Sequence, residues 1–233
     1  MEKILKKSLA VLIGLLLSTA VAQAQAAIII SEVAPWSSGN SIVGADWFEL
    51  TNTGNSSLSI SGWKVDDSSN SFSAALALNG ITNINAGQSV IFIEGTAATA
   101  TTFVTTWFGS NVPAGFAIGY YSGSGIGLSA SGDALNIYNA SGVLQANVTF
   151  GNSDSTSPFQ TFDNAAGLNN TAVSQLSVLG VNGAFKAANS ASEIGSPGLI
   201  AAVPEPESYA MLLAGIALIG AIGRKRQSKL NQG

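Results

Sequence analysis

Leu144-Gln145-Ala146-Asn147-Val148-Thr149-Phe150 alternates apolar and polar residues without a break. A period of two held over seven residues marks a strand with one face in a core and the other in water. The chain just before it supports the same reading. Asn139-Ala140-Ser141-Gly142 is turn chemistry, and residues 134–138 place Leu135 and Ile137 on one face, so the two runs predict a hairpin. Further out, Asn85-Ala86-Gly87 turns into residues 89–94, where Val90-Ile91-Phe92-Ile93 suits a strand covered on both faces. Residues 46–51 alternate, with Phe48 and Leu50 on one side and Trp47, Glu49 and Thr51 on the other. Residues 27–33 form a short apolar run, and Leu58, Ile60, Trp63 and Val65 continue the pattern through a bend at Ser61-Gly62. One helix is expected over residues 100–108, where Phe103 and Trp107 lie four apart. Many short strands, many Gly and Ser turns and little helix predict an all-β fold, a β-sandwich.

The two ends read differently from this middle. Lys3, Lys6 and Lys7 precede the apolar run 9–17, and Ala20, Ala22, Ala24 and Ala26 follow it at the spacing a signal peptidase needs. Residues 1–26 are therefore expected to be a signal peptide, a helical export signal cut after Ala24 or Ala26, with an uncleaved anchor as the alternative. At the other end, Pro204-Glu205-Pro206 precedes fifteen uncharged residues, 209–223, and then Arg224-Lys225-Arg226. At 1.5 Å per residue such a helix is roughly 22 Å long. That is short of a hydrocarbon core of about 30 Å, and the basic cluster would sit on the cytoplasmic side. A marginal transmembrane helix, or a plain C-terminal anchor on a proline-containing stalk, is the expectation for residues 200–233.

Between Ala27 and Val203 ten acids face two bases, Lys64 and Lys186, a formal charge of −8 that the whole-chain value of −4 conceals. Such a domain repels phosphate backbones, which argues against nucleic-acid partners. The chain contains no cysteine and no histidine. Stability must come from core burial alone, and Ser-His-Asp catalysis, Cys-His catalysis and the usual zinc ligand sets are excluded.

Two resemblances rest on these residues. Pro204-Glu205-Pro206, the apolar stretch and the closing Arg-rich cluster resemble a PEP-CTERM sorting signal. The resemblance implies recognition by an exosortase, cleavage near Pro204, Glu205 and Pro206, and delivery to the cell envelope or extracellular matrix after a transient stay in the inner membrane. The middle, expected to span residues 27–199, resembles a lamin-tail domain. It does so in Ile29-Ile30-Ser31-Glu32-Val33, in Asp46-Trp47-Phe48-Glu49-Leu50-Thr51-Asn52, in Gly62-Trp63, in Ile84-Asn85-Ala86-Gly87-Gln88-Ser89-Val90, in Ser131-Gly132-Asp133 and in Gly195-Ser196-Pro197-Gly198. This implies an immunoglobulin-like β-sandwich that binds or scaffolds. Residues 96–127 are longer and richer in Gly, Ser and Ala than that pattern.

Candidate chemistry is sparse. Glu32 and Glu49 on neighbouring strands could flank a glycosidic bond, or could accept hydrogen bonds from loop N–H groups and pin a turn. Asp66 and Asp67 could join Asp46 or Asp133 in a calcium site, or could be solvated loop acids. Trp36, in the loop after the first strand, is the best candidate for an exposed sugar-stacking platform. With no histidine and no substitute base, no Ser or Thr reads as an activated nucleophile. The functional expectation is a non-catalytic structural or adhesive protein, not an enzyme and without a cofactor, associated with exopolysaccharide. Its partners in export are a signal peptidase and an exosortase. A calcium-assisted carbohydrate-binding module is the alternative, and a carboxylate-only metal-dependent hydrolase is a third.

Overall fold

The structure, a computed structural model, describes residues 28–123, 125–153, 156–163, 172–199, 213, 215 and 216. The signal peptide expected at 1–26, the motif Pro204, Glu205, Pro206 and the cluster Arg224, Lys225, Arg226 lie outside the described residues. Leu213, Gly215 and Ile216 are helical. Among the described residues no helix is long and apolar enough to cross a membrane.

The strands are β1 (Ile28–Ala34), β2 (Trp47–Asn52), β3 (Leu58–Ser59), β4 (Lys64–Asp66), β5 (Leu76–Ala77), β6 (Asn83–Ile84) and β7 (Ser89–Glu94). After the helix Ala97–Phe108 come β8 (Ile118–Tyr121), β9 (Ser131–Tyr138), β10 (Leu144–Asn152), β11 (Phe159–Gln160), β12 (Phe162–Asp163), β13 (Ala172–Val173), β14 (Phe185–Lys186) and β15 (Glu193–Gly195). Two five-stranded sheets, ordered β12-β1-β2-β7-β8 and β13-β10-β9-β4-β5, face each other. Phe48, Leu50, Val90 and Phe92 of the first meet Val65, Leu135, Ile137, Val148 and Phe150 of the second in one buried cluster. The alternation that predicted the β9–β10 hairpin is what builds this core: Ala146, Val148 and Phe150 point in, while Gln145 and Thr149 do not.

The first sheet is buried on its other face as well. Trp47 of β2 and Ile91 and Ile93 of β7 enter a second cluster with Ala100, Phe103, Trp107 and Phe108 of the helix. Phe103 and Trp107 stack at 5.9 Å, on the side predicted from their spacing. The helix starts three residues earlier than expected because Thr96 caps it. The Ala98 N–H donates to Thr96 Oγ1 and the Thr96 N–H donates to Thr99 Oγ1, each at 3.2 Å. It also carries the chain across the sheet: β7 and β8 are parallel, and parallel neighbours need a long crossover. The surplus length of residues 96–127 is largely this crossover. A third, three-stranded sheet, β11-β15-β14, covers the remainder of the outer face. Phe159 stacks on Trp36, and Phe185 meets Trp107 edge-on. The sandwich thus carries a third layer that the strand pattern did not predict.

Candidate functional site: a buried row of carboxylates

The site begins with an irregularity in β1. Its register against β2 runs Ile30 to Leu50 and then Glu32 to Glu49, so Ser31 is an extra residue. A bulge of this kind breaks the alternation of side chains. Ile30 and Val33 both point into the sandwich core, and Ser31 and Glu32 are both left for the outer face. Ser31 Oγ donates to Glu49 Oε1 at 2.6 Å and lies 2.8 Å from Thr51 Oγ1, which in turn lies 2.6 Å from Ser89 Oγ. Glu32 lies opposite Glu49 on one side and opposite Asp163 of β12 on the other. Three carboxylates therefore occupy adjacent positions on three neighbouring strands.

Like charges placed this way repel, and among the described residues no lysine relieves them. Lys64 sits over the Phe72 ring at 4.7 Å, and Lys186 is exposed. Glu32 is 1% exposed and Glu49 fully buried. Burial, followed by the Glu49 charge, holds Glu32 well above the ordinary carboxylate range, against the pull of its bonds from Thr161 and Ser196. Burial likewise raises Glu49, against bonds from Ser31, Gly198 and Ser89. Asp163 is pushed up by burial to about 6. The row is most comfortable with at least part of its charge neutralised by protons.

The donors that satisfy the pair come from the far end of the domain. Glu32 Oε1 accepts from the Ser196 N–H at 2.8 Å and from Thr161 Oγ1, and Glu32 Oε2 accepts from Ser196 Oγ at 3.2 Å. Glu49 Oε2 accepts from the Gly198 N–H at 2.6 Å. Ser177 Oγ lies 2.6 Å from Thr161 Oγ1 and extends the network. Glu32 and Glu49 thus pin the Gly195-Ser196-Pro197-Gly198 turn onto β1 and β2. Each of their four oxygens is occupied by the chain itself, which leaves no bond of a substrate between them. Of the two readings of this pair, pinning a turn is the one the geometry realises.

Gly195 shows how closely that turn is seated. A Cβ on it would stand 2.6 Å from Glu32 Oε1, 2.9 Å from Thr161 Cγ2 and 3.0 Å from Trp107 Cη2. Gly195→Ala is expected to push the turn off the carboxylates. We expect a loss of about 1–3 kcal/mol, visible as a lower midpoint in chemical denaturation and as faster amide exchange at Ser196 and Gly198. An unchanged midpoint would show that the seat is looser than these distances require.

The other predicted residues are placed as follows. Trp36 is not an exposed platform. It is 1% exposed, its indole N–H donates to the Gln160 carbonyl at 2.8 Å, and its ring stacks on Phe159 at 5.4 Å. The residues that cover it lie more than 120 positions away in sequence, so its local loop context could not reveal them. Asp66 is fully buried, not solvated: its Oδ2 accepts from Ser69 Oγ at 2.7 Å and the Ser71 N–H at 2.6 Å, while Oδ1 has no partner. Asp67 Oδ1 accepts from the Ser69 N–H at 2.8 Å. Asp133 accepts from the N–H groups of Ser68, Ala134 and Ser129. Asp46 does not share a hydrogen-bond partner with them. Its Oδ1 accepts from the Ser38 N–H at 2.7 Å, and burial, with a smaller push from Glu94, raises it to about 7. Among the described residues no group of three or more acids is placed to hold a metal ion. Each of these aspartates instead fastens a loop, as Glu32 and Glu49 do. Asp163, in a two-residue strand, and Thr161 and Ser177, outside any strand, carry no periodic signal in the sequence.

A family model described as Lamin Tail Domain matches residues 21–152. A second, described as PEP-CTERM protein-sorting motif, matches residues 202–227. No curated protein matches the chain. Glu32 and Glu49 fall within the first match, and the turn that they hold lies between the two.

Proposed function

The chain belongs to the lamin tail domain family and carries a PEP-CTERM protein-sorting motif, and from that premise we propose that it is a non-catalytic structural or adhesive component of the cell envelope or extracellular matrix, associated with exopolysaccharide. The motif implies processing by an exosortase during export to the cell surface. In this reading residues 204–206 present the cleavage site. Two prolines with fixed φ and no N–H keep that stretch extended, and the apolar stretch that follows holds the precursor in the membrane until it is cut.

The observation that carries the non-catalytic role is the occupation of the best-placed acids. Glu32 and Glu49 are sealed from solvent and bonded to the chain's own donors. A catalytic pair must instead leave room for a substrate bond and, in inverting enzymes, for a water. The low positive charge of the domain and the absence of histidine and cysteine from the chain point the same way.

Two changes made in the producing cell test the two halves of the reading. A chain truncated after Val203 is expected to disappear from the envelope and matrix fraction and to escape processing. Normal maturation and surface display would rule out the tail as the sorting determinant. A chain carrying Glu32→Gln and Glu49→Gln is expected to be displayed and to support the matrix like the native one. Loss of matrix function with normal display would instead point to carboxylate chemistry.

A further inference from the structure

We propose that the face formed by Val178, Leu179, Val181 and Leu199 rests on the lipid bilayer while the precursor is still held by its tail, an inference that depends on the tail's being a membrane segment as read above. These four side chains are 50%, 56%, 44% and 44% exposed. They form one patch. The Val181 N–H donates to the Val178 carbonyl, the Ala184 N–H to the Val181 carbonyl and the Gly180 N–H to the Ala184 carbonyl, at 2.8–2.9 Å, which fixes the turn. Leu199 lies against that turn: a Cβ built on Gly183 would be 3.5 Å from Leu199 Cβ. Clustered apolar side chains presented on a closed turn mark a contact surface.

Two observations choose the bilayer as the occupant. The first is where the tether starts. Leu199 is ten residues from Tyr209, the first residue of the uncharged stretch, and ten residues span at most about 35 Å. The patch stands at the root of that tether, so it is the part of the domain held nearest the membrane. The second is charge. Between residues 172 and 199 the charged residues are Lys186, which is exposed, and Glu193, which is fully buried. The partly exposed acids Asp67, Glu94 and Asp133 belong to other parts of the fold. The one carboxylate beside the turn, Asp163, bonds Asn182 and is buried, so among the described residues this face presents no exposed carboxylate and one exposed lysine, which suits anionic headgroups. Weak affinity is sufficient, because a short tether supplies an effective concentration in the millimolar range.

The chain has no cysteine, so single thiols report cleanly. Full-length Leu179→Cys and Leu144→Cys, the latter an exposed apolar position at the start of β10, are labelled with a polarity-sensitive fluorophore. They are then reconstituted into vesicles of phosphatidylethanolamine and phosphatidylglycerol, with and without brominated lipid. The expected result is a blue shift and bromine quenching at position 179, neither at 144, and loss of both when Val178 and Val181 are also replaced by Ser. An aqueous spectrum at 179 in protein that resists alkaline extraction overturns the docking face and leaves the tail reading intact. Extraction of the protein by alkali overturns both. A blue shift at 179 without bromine quenching shows that the chain itself covers the patch, and one that grows with protein concentration shows a second copy, and either result overturns the proposal.

Discussion

Trp47→Ala is expected to remove about 3–5 kcal/mol of stability, the usual cost of emptying a fully buried tryptophan site. Trp47 is fully buried and meets Phe103 at 5.3 Å and Trp107 at 5.6 Å, both edge-on. Its ring is the main contact through which β2 holds the helix Ala97–Phe108. Marginal stability of about 5–15 kcal/mol is typical of a domain, so the variant stands close to unfolding. For a domain of this size the melting temperature should fall by roughly 6–20 °C. Trp47→Phe should cost much less. The indole nitrogen of Trp47 has no hydrogen-bond partner, so only volume is lost. Thermal melts followed by circular dichroism would separate the two. A Trp47→Ala melt within a degree or two of the native one would mean that the helix is held by other contacts.

Stability is expected to fall as pH rises from about 4 to about 7. Asp46 moves from its ordinary value near 3.8 to about 7 in the folded protein, and Asp163 from 3.8 to about 6, in each case chiefly through burial. Glu32 and Glu49 move in the same direction. The sign follows from proton counts. In that window the unfolded chain has already released these protons and the folded chain still binds them, so rising pH favours unfolding. The contribution is complete below the unfolded values and is lost as each folded value is passed. For Asp46 alone the shift corresponds to about 4 kcal/mol. A series of melts between pH 4 and pH 8 should show the highest midpoint at the acid end. Glu32→Gln should flatten the profile, because the amide oxygen can still accept from Thr161 and Ser196 while the charge is gone. Asp46→Asn should flatten it as well. A midpoint that is constant or rises across this range would contradict the burial of these acids.

Most of the first two layers was legible in the sequence, and the third was not. Val90-Ile91-Phe92-Ile93 reads as covered on both faces, and β7 does separate the two apolar clusters. The alternation puts Phe48 and Leu50 on one face of β2 and Trp47 and Glu49 on the other, as the structure has them. These segments carry their own signal because period-two alternation survives along a strand. The bulge at Ser31 carries none. It can be seen only when β1 is laid against β2, and without it Glu32 does not face the outer side of the sheet. The burial of Trp36 escapes its local sequence for a related reason. A loop tryptophan reads as exposed until Phe159 and Gln160 are brought over it, and strands of two residues, such as β11, β12 and β14, are too short to announce themselves. The site was therefore half visible: its acceptors, Glu32 and Glu49, lie on readable strands, and its donors lie on a turn whose partner only the fold reveals.

The pinning of residues 195–198 by residues near the start of the domain also imposes an order in time. A chain exported N-terminus first brings Glu32 and Glu49 out first, and the groups that cover them last. Until Gly198 has emerged, the two glutamates face water and cannot be sealed, so long-range closure must wait for nearly the whole domain. Residue 198 is also only six positions from the Pro-Glu-Pro motif. On the proposed reading, with the cleavage site at residues 204–206, the final step of folding and the emergence of that site are almost the same event, and the exosortase receives a domain that has just closed.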